Sequence, residues 1–279
     1  MAARDADSNV GTSGDSDAIS ARSQEVTALV ELQRTLYESK NPTRRWLHTS
    51  RFEEIAGKLR RAASTGTDGG RTGRALEIGP GAGPYLPLMC DLFEAVTAGD
   101  IEPQYLQHVE ESLADRSNLE LVVDDIASSQ LPAASFDVIL CTEVIEHTPD
   151  PTSVVGGIAR LLAPGGLVII STPQAWSTVE LVGRIAFKPP FLQLGRLLYR
   201  EPVLPTGHIS LLTRATLAGM LRDAGLTITE SSVAGFYIPG IAELGGTRGL
   251  RLEQRLERAL AESRFSGALW TQHWTATKP

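Results

Sequence analysis

The chain has 279 residues, 42% of them hydrophobic, which is enough to bury a full core. Its formal net charge of -7 argues against nucleic-acid binding as its main activity. The two cysteines, Cys90 and Cys141, belong to no cluster with metal-ligand spacing, and the sequence contains no apolar run of about eighteen residues. Its first residues do not show a basic region followed by an apolar segment, so we expect no secretory leader. We therefore expect a cytoplasmic protein with one main domain and extensions.

The N-terminal part divides into a tail and a helical extension. Residues 1–22 are small and polar and predict disorder. Residues 23–73 predict one helix that stops at Asn41-Pro42, a second helix over 50–63, and a flexible linker. Between the helices we expect a helical connection in which Trp46 packs on the core, with substrate or partner contact as the alternative.

From residue 74 to residue 279, apolar segments alternate with helical patterns, which predicts an α/β fold whose mostly parallel sheet carries helices on both faces. Strands are expected at 74–79, 94–99, 119–123, from 136, 167–171, 226–233 and 268–277. Helices are expected at 84–91, 103–113, 151–163, 214–224 and 250–262, with a glycine-rich excursion over 235–249.

The first of these strands ends in a glycine-rich turn that carries Gly79, Gly81 and Gly83, with Glu77 just ahead of it. Glycines at this spacing leave backbone N–H groups bare, so that a nucleotide-like ligand can lie against them. The dinucleotide fingerprint needs a further glycine where this chain has Pro84, which counts against a nicotinamide cofactor. A turn without a ligand is the simpler alternative.

The sequence Glu-x-Gly-x-Gly-x-Gly resembles the first motif of the class I S-adenosylmethionine-dependent methyltransferases. The resemblance implies a Rossmann-like, seven-stranded sheet with an antiparallel last strand. It also implies that the glycines cradle the amino-acid end of S-adenosylmethionine and that Glu77 lies near its ammonium group. Asp100, followed by Ile101, ends the second strand, where an acidic residue can accept hydrogen bonds from ribose hydroxyls.

Two later segments extend the resemblance. After the third strand, Asp125 with Ile126 matches the family's adenine-binding pair, although Asp124 is an alternative and both acids could simply be turn residues. The segment from Phe136 to His147 is similar to the fourth strand and following turn of the small-molecule branch, which includes quinone O-methyltransferases. It implies that Thr142 and Glu143 lie beside the cofactor.

Methyl transfer to a hydroxyl is helped by a base, for which histidine is the usual candidate. His147 and His208 fall at the rim of the predicted site, and His208 lies in a segment that resembles a histidine motif of the family. An orienting or structural hydrogen bond is the alternative role for each. Neither histidine lies in a recognisable metal-ligand cluster, so no metal is expected.

The segment 174–207 is an apolar and basic insert, which we interpret as a helical lid over the acceptor; a packing layer or a membrane-surface contact are alternatives. We expect a methyltransferase that acts on a small molecule, with a hydroxyl oxygen as the favoured acceptor. Carbon or nitrogen methylation, a non-catalytic S-adenosylmethionine-binding protein and an NAD-dependent oxidoreductase remain open. The acceptor and the oligomeric state are not indicated by the sequence.

Overall fold

A computed structural model of the protein describes residues 24, 26–64, 73–186 and 208–279. The predicted tail, 1–22, and most of the predicted linker lie outside the described residues. The same is true of 187–207, the larger part of the predicted insert. The first part of the insert is described and contains a helix, Thr178–Ala186.

The centre of the fold is one seven-stranded sheet. In chain order its strands are β1 (Arg74–Ile78), β2 (Ala95–Asp100), β3 (Leu119–Val123), β4 (Phe136–Thr142), β5 (Leu162–Pro173), β6 (Thr227–Ala234) and β7 (Thr271–Thr277). The spatial order is β3-β2-β1-β4-β5-β7-β6. Strands β1 to β5 are mutually parallel, whereas β7 is antiparallel to β5 and β6. The predicted Rossmann-like sheet with an antiparallel last strand is thus confirmed.

The strand order reverses direction between β1 and β4, which are neighbours near the middle of the sheet. Ligands of open parallel sheets bind outside the carboxyl ends of the strands at such a switch point. Here this edge brings together the glycine-rich turn after β1, Asp100 at the end of β2 and the turn after β4. The fold alone therefore places most of the predicted site residues at one edge of the sheet.

Eight helices are described. They are α1 (26–35), α2 (Pro42–Ala63), α3 (Leu86–Leu92), α4 (Pro103–Ser112), α5 (Pro151–Leu161), α6 (Thr178–Ala186), α7 (Arg214–Asp223) and α8 (Ile241–Ala261). None of these described helices is long and apolar enough to span a bilayer.

The helices cover both faces of the sheet, as predicted. Successive strand residues point to opposite faces, and the buried side chains fall into two clusters accordingly. Leu76 and Ile139 pack with α5 and α7 on one face. Ala75 and Val138 pack with α2, α3 and α4 on the other.

Three element boundaries differ from the predictions. Helix α2 begins at Pro42 rather than near residue 50, because the Asn41 side chain caps it by accepting hydrogen bonds from the backbone N–H groups of Thr43 and Arg44, both at 3.0 Å. Trp46 is therefore helical and only half-buried, while its neighbour Leu47 is the buried residue.

The two other differences lie in the second half of the chain. The predicted glycine-rich excursion is wrong from Ile241 onward, since helix α8 continues through it with a kink at Gly246 (φ 53°). Strand β5 begins at Leu162 rather than at Leu167, because a register shift between Phe136 and Val138 lets the ladder continue across the predicted turn.

Candidate functional site

The glycine-rich turn after β1 packs closely against Val144 and the end of β2. Gly79, Gly81 and Gly83 have φ values of +64°, +54° and +68°, in the left-handed region that glycine tolerates best. A Cβ atom on Gly79 would come within 2.6 Å of Val144 Cγ2. The turn is anchored by the hydrogen bond from the N–H of Gly79 to the carbonyl of Gly99, 2.8 Å. It is thus a tight glycine turn at the carboxyl end of β1, where the sequence predicts a cofactor cradle.

Glu77 is a buried acid at the end of the central strand β1, with 1% of its surface exposed. Its Oε2 atom has no hydrogen-bond partner in the described part of the chain. Burial raises the pKa of Glu77 to about 8, because the charged form loses its hydration. Since a buried polar atom without a partner is costly, this carboxyl group is suited to receive a donor from a ligand.

Arg51 on helix α2 pairs with the predicted site residue Glu143, and the sequence analysis did not anticipate it. Its Nη1 atom lies 2.6 Å from Oε2 of Glu143, and its guanidinium group lies over the Trp270 ring at 5.3 Å from the centroid. A signal was present, because Arg51 continues the buried stripe formed by Leu47, Ile55 and Leu59 at four-residue steps. A cation on such a stripe requires an anionic partner.

Glu143 is held in an unusual backbone conformation. Its φ is +56°, which is uncommon for a residue other than glycine, and such strain tends to occur at functional sites. The Ser171 hydroxyl donates to Oε1 of Glu143 at 3.0 Å, and the backbone N–H of Glu143 donates to the Ser171 carbonyl at 2.9 Å. The end of β5 therefore fixes the position of Glu143, while Thr142 is the last residue of β4.

Helix α1 also contributes to the cradle, which the sequence did not indicate. The Gln33 side chain accepts a hydrogen bond from the backbone N–H of Ala82 at 2.8 Å. The N-terminal helices thus contact the candidate site, with Gln33 on the glycine turn and Arg51 beside Glu143.

The residues that are predicted to bind adenosine lie at the ends of β2 and β3. Asp100 accepts a hydrogen bond from the N–H of Glu102 at 2.9 Å, and burial raises the pKa of its carboxyl group to about 6. Ile101 is 65% exposed beside it. Asp125 caps a short 3-10 turn that carries the buried Ile126. Asp124 is tied to the same edge, since its N–H donates to the carbonyl of Asp100 at 3.0 Å.

The two candidate histidines meet although 60 residues separate them in sequence. The rings of His147 and His208 lie 5.1 Å apart, centroid to centroid, at 63°. The backbone explains the meeting, because the carbonyl of Glu146 accepts hydrogen bonds from the N–H groups of Ile209 and Ser210 at 2.9 and 3.0 Å. His208 Nδ1 also lies 3.1 Å from Glu180 Oε1 on helix α6. The two atoms are within ion-pair distance, but their geometry does not form a hydrogen bond.

Glu146 is fully buried beneath the histidine pair. The Thr172 hydroxyl donates to its Oε2 atom at 2.9 Å, while its Oε1 atom lacks a partner among the described residues. Burial, followed by the nearby charge of Glu143, raises the pKa of Glu146 well above its ordinary value. The consecutive residues Ser171 and Thr172 of β5 therefore hold Glu143 and Glu146, which connects the cradle with the histidine pair.

Comparisons with known sequences identify relatives over most of this region. A family model described as a methyltransferase domain matches residues 47–231. A ubiquinone biosynthesis O-methyltransferase from Xanthomonas axonopodis pv. citri is 31% identical over 194 residues, which cover 67% of this chain and 72% of the relative. A protein of the same name from Xanthomonas oryzae pv. oryzae is 33% identical over 167 residues, which cover 57% of this chain and 64% of that relative.

Solved structures match more broadly at lower identity. The N-methyltransferase NodS from Bradyrhizobium japonicum, in complex with S-adenosyl-L-homocysteine, matches 92% of this chain and 97% of its own, with a TM-score of 0.54 and 16% identity. The [4+2]-cyclase SpnF matches 80% of each chain with a TM-score of 0.51 and 18% identity. At such identities these likenesses concern the fold alone.

Proposed function

Since this chain belongs to the S-adenosylmethionine-dependent methyltransferases, we propose that it transfers the methyl group to a hydroxyl oxygen of a small molecule. The observation that carries the choice of acceptor is the pair of rings of His147 and His208, 5.1 Å apart at the carboxyl edge of the sheet. The relatives named ubiquinone biosynthesis O-methyltransferase, at 31% and 33% identity, also favour oxygen.

The residues of the cradle fit S-adenosylmethionine. The glycine turn has no Cβ atoms and a left-handed backbone, and the buried Oε2 atom of Glu77 lacks a partner within the described ranges. An ammonium group of the cofactor can supply that partner. We propose that Glu77 binds it, that Asp100 binds the ribose hydroxyls, and that Asp125 and Ile126 bind the adenine.

When bound, S-adenosylmethionine supplies a methyl group already activated by its sulfonium charge. What remains for the chain is orientation, which alone can be worth effective molarities of about 10⁵–10⁸ M. We propose that Arg51 binds the carboxylate of the cofactor, because its guanidinium group is the buried cation nearest to Glu143 among the described residues and can share its donors between two anions. Glu143 then holds Arg51 in place.

The histidine pair is proposed to lower the cost of removing the proton from the hydroxyl. A neutral imidazole can accept this proton directly, which typically contributes about 10²–10⁴-fold to the rate. The contact of His208 Nδ1 with Glu180 leaves Nε2 as the ring atom free to face an acceptor. A cytoplasmic location is likewise proposed, supported by Cys90 and Cys141, which are free and buried.

The test is an acceptor screen with the purified protein, S-adenosylmethionine and panels of phenols, enols, amines and carbon nucleophiles. Products are identified by mass spectrometry, so that the methylated atom is known. The expected result is oxygen methylation, and exclusive nitrogen or carbon methylation would contradict the proposal.

Variants test whether His208 takes part in the reaction that the screen detects. His208→Ala is expected to lower kcat by about 10²-fold or more while the affinity for S-adenosylhomocysteine is retained. The matched control is His108→Ala, on the half-buried face of α4, which is expected to leave both quantities unchanged. Unchanged turnover in His208→Ala would assign that histidine to structure alone.

A further inference from the structure

Three potential metal ligands converge at the histidine pair, which spacing along the sequence did not indicate. Glu146, His147 and His208 each offer one ligand atom, and these atoms all lie within 4.8 Å of one another. Two atoms that each bind an ion at about 2.1 Å lie at most about 4.2 Å apart. The three groups are thus less than about 1 Å from an arrangement that an ion can close.

The buried carboxylate is the second, independent observation. Glu146 is completely buried, and while Thr172 occupies its Oε2 atom, its Oε1 atom is without a partner in the described chain. The neighbouring Glu143 is already neutralised by Arg51, 2.6 Å away. Of these two carboxylates, Glu146 is therefore the one without a salt-bridge partner among the described residues. Its backbone carbonyl also anchors the His208 segment.

Glu180 lies beside one of the ligands. Its Oε1 atom lies 3.1 Å from His208 Nδ1, and both side chains are more than nine-tenths buried. A histidine that binds a metal commonly donates its other ring N–H to a carboxylate, which fixes the tautomer. Here Nδ1 of His208 faces Glu180, so Nε2 is the ring atom left for an ion.

We propose that Glu146, His147 and His208 form a site for a divalent transition-metal ion, such as Zn²⁺ or Fe²⁺, with Glu180 as the positioning residue. Two imidazoles and one carboxylate favour these ions over Mg²⁺, which prefers oxygen ligands. Three protein ligands leave open positions for an oxygen of the acceptor.

The role of the ion rests on the proposed function, whereas the site itself does not. An ion at this position lowers the pKa of a coordinated hydroxyl, so that its proton passes to solvent without a protein base. The oxygen then forms the new bond to the methyl carbon, while the electron pair of the broken carbon–sulfur bond remains on sulfur. The two histidines then act as ligands.

The experiment titrates the full-length protein, freed of metal with a chelator, with Co²⁺ by visible absorption and with Zn²⁺ and Mg²⁺ by calorimetry. One ion per chain and a preference for Zn²⁺ over Mg²⁺ are expected. Sub-stoichiometric binding, or Mg²⁺ binding as tight as Zn²⁺ binding, would overturn the site.

Variants locate the ion. Glu146→Gln keeps the shape of the side chain, and His208→Asn provides a second test if the first variant fails to fold. Both are expected to weaken Co²⁺ binding by about 100-fold or more, and Glu180→Gln by about 10–100-fold. His108→Asn is the control and is expected to bind normally. Equal affinity in wild type, Glu146→Gln and His208→Asn would refute the assignment.

S-adenosylhomocysteine affinity, measured on the same samples, separates the two proposals. Normal cofactor binding with no metal binding rejects only the metal site. Metal binding without oxygen methylation in the acceptor screen rejects the proposed function and leaves the site standing.

Discussion

Two adjacent glycines in helix α5 provide a sharp test of how closely this helix approaches the adenine side of the site. An ideal Cβ atom on Gly157 would lie 2.0 Å from the carbonyl oxygen of Ile126, whereas a Cβ atom on Gly156 has no described atom within 4 Å. Gly157 is buried and Gly156 is exposed. Alanine at either position has the same effect on helix propensity, but only alanine at Gly157 creates a close contact. Comparing the two variants therefore isolates the effect of that contact on stability.

Gly156→Ala is expected to raise the free energy of unfolding by about 0.5–1 kcal/mol, because alanine restricts the unfolded chain and favours the helix. Gly157→Ala gains the same term but must push α5 away from the backbone of Ile126, and overpacking of this kind costs about 1–3 kcal/mol or more. At about 2–4 °C per kcal/mol for a chain of this size, the two Tm values should differ by several degrees in opposite directions.

Thermal and urea unfolding of both variants measure this difference, and calorimetry with S-adenosylhomocysteine measures its consequence for the site. Gly157→Ala is expected to bind the ligand more weakly, since the new Cβ atom also displaces the Ile126 backbone, while Gly156→Ala binds normally. If Gly157→Ala proves as stable as Gly156→Ala, the close approach of α5 is wrong.

Two further predictions concern the carboxylates of the cradle. Asp100→Ala should weaken S-adenosylhomocysteine binding by about 10–100-fold, since hydrogen bonds to a charged group contribute about 1.5–3 kcal/mol. The control is the same change at the exposed Asp115, which should leave the Kd unchanged. Equal Kd values for both variants would contradict the proposed binding of the ribose by Asp100. The folded chain holds the Glu77 proton up to a pKa of about 8, against an ordinary value of 4.5. The free energy of unfolding of the ligand-free protein should therefore fall as the pH rises from 4.5 to 8. Urea titrations at several pH values measure this dependence, and Glu77→Gln should make it weaker. The same pH dependence in the variant would contradict the burial of a protonated Glu77.

The sheet was predictable because its signals are local. Apolar runs such as Leu119–Val123 mark the strands without help from distant residues, and the glycines after β1 follow from the turn that they make. Residues that mark helix boundaries were harder to interpret. Asn41-Pro42 both ends one helical segment and starts helix α2, and only its role as a stop was anticipated.

The parts of the site that were missed depend on tertiary contacts. Arg51 and Gln33 belong to no motif, and their importance appears only once α1 and α2 lie against the turns after β1 and β4. Glu146 was part of a matched segment, but its convergence with His208 depends on backbone hydrogen bonds between segments about 60 residues apart. Spacing along the chain carries no information about such a meeting.

The two hydrogen bonds from the N–H groups of Ile209 and Ser210 to the Glu146 carbonyl fix His208 from its C-terminal side. The position of this ring is therefore specified by residues that follow it, and by Glu180 ahead of residues 187–207. An exchange of the 187–207 segment between relatives leaves these anchors intact. If the predicted lid sets the acceptor preference, that preference and the position of the His208 ring are determined by different segments of the chain.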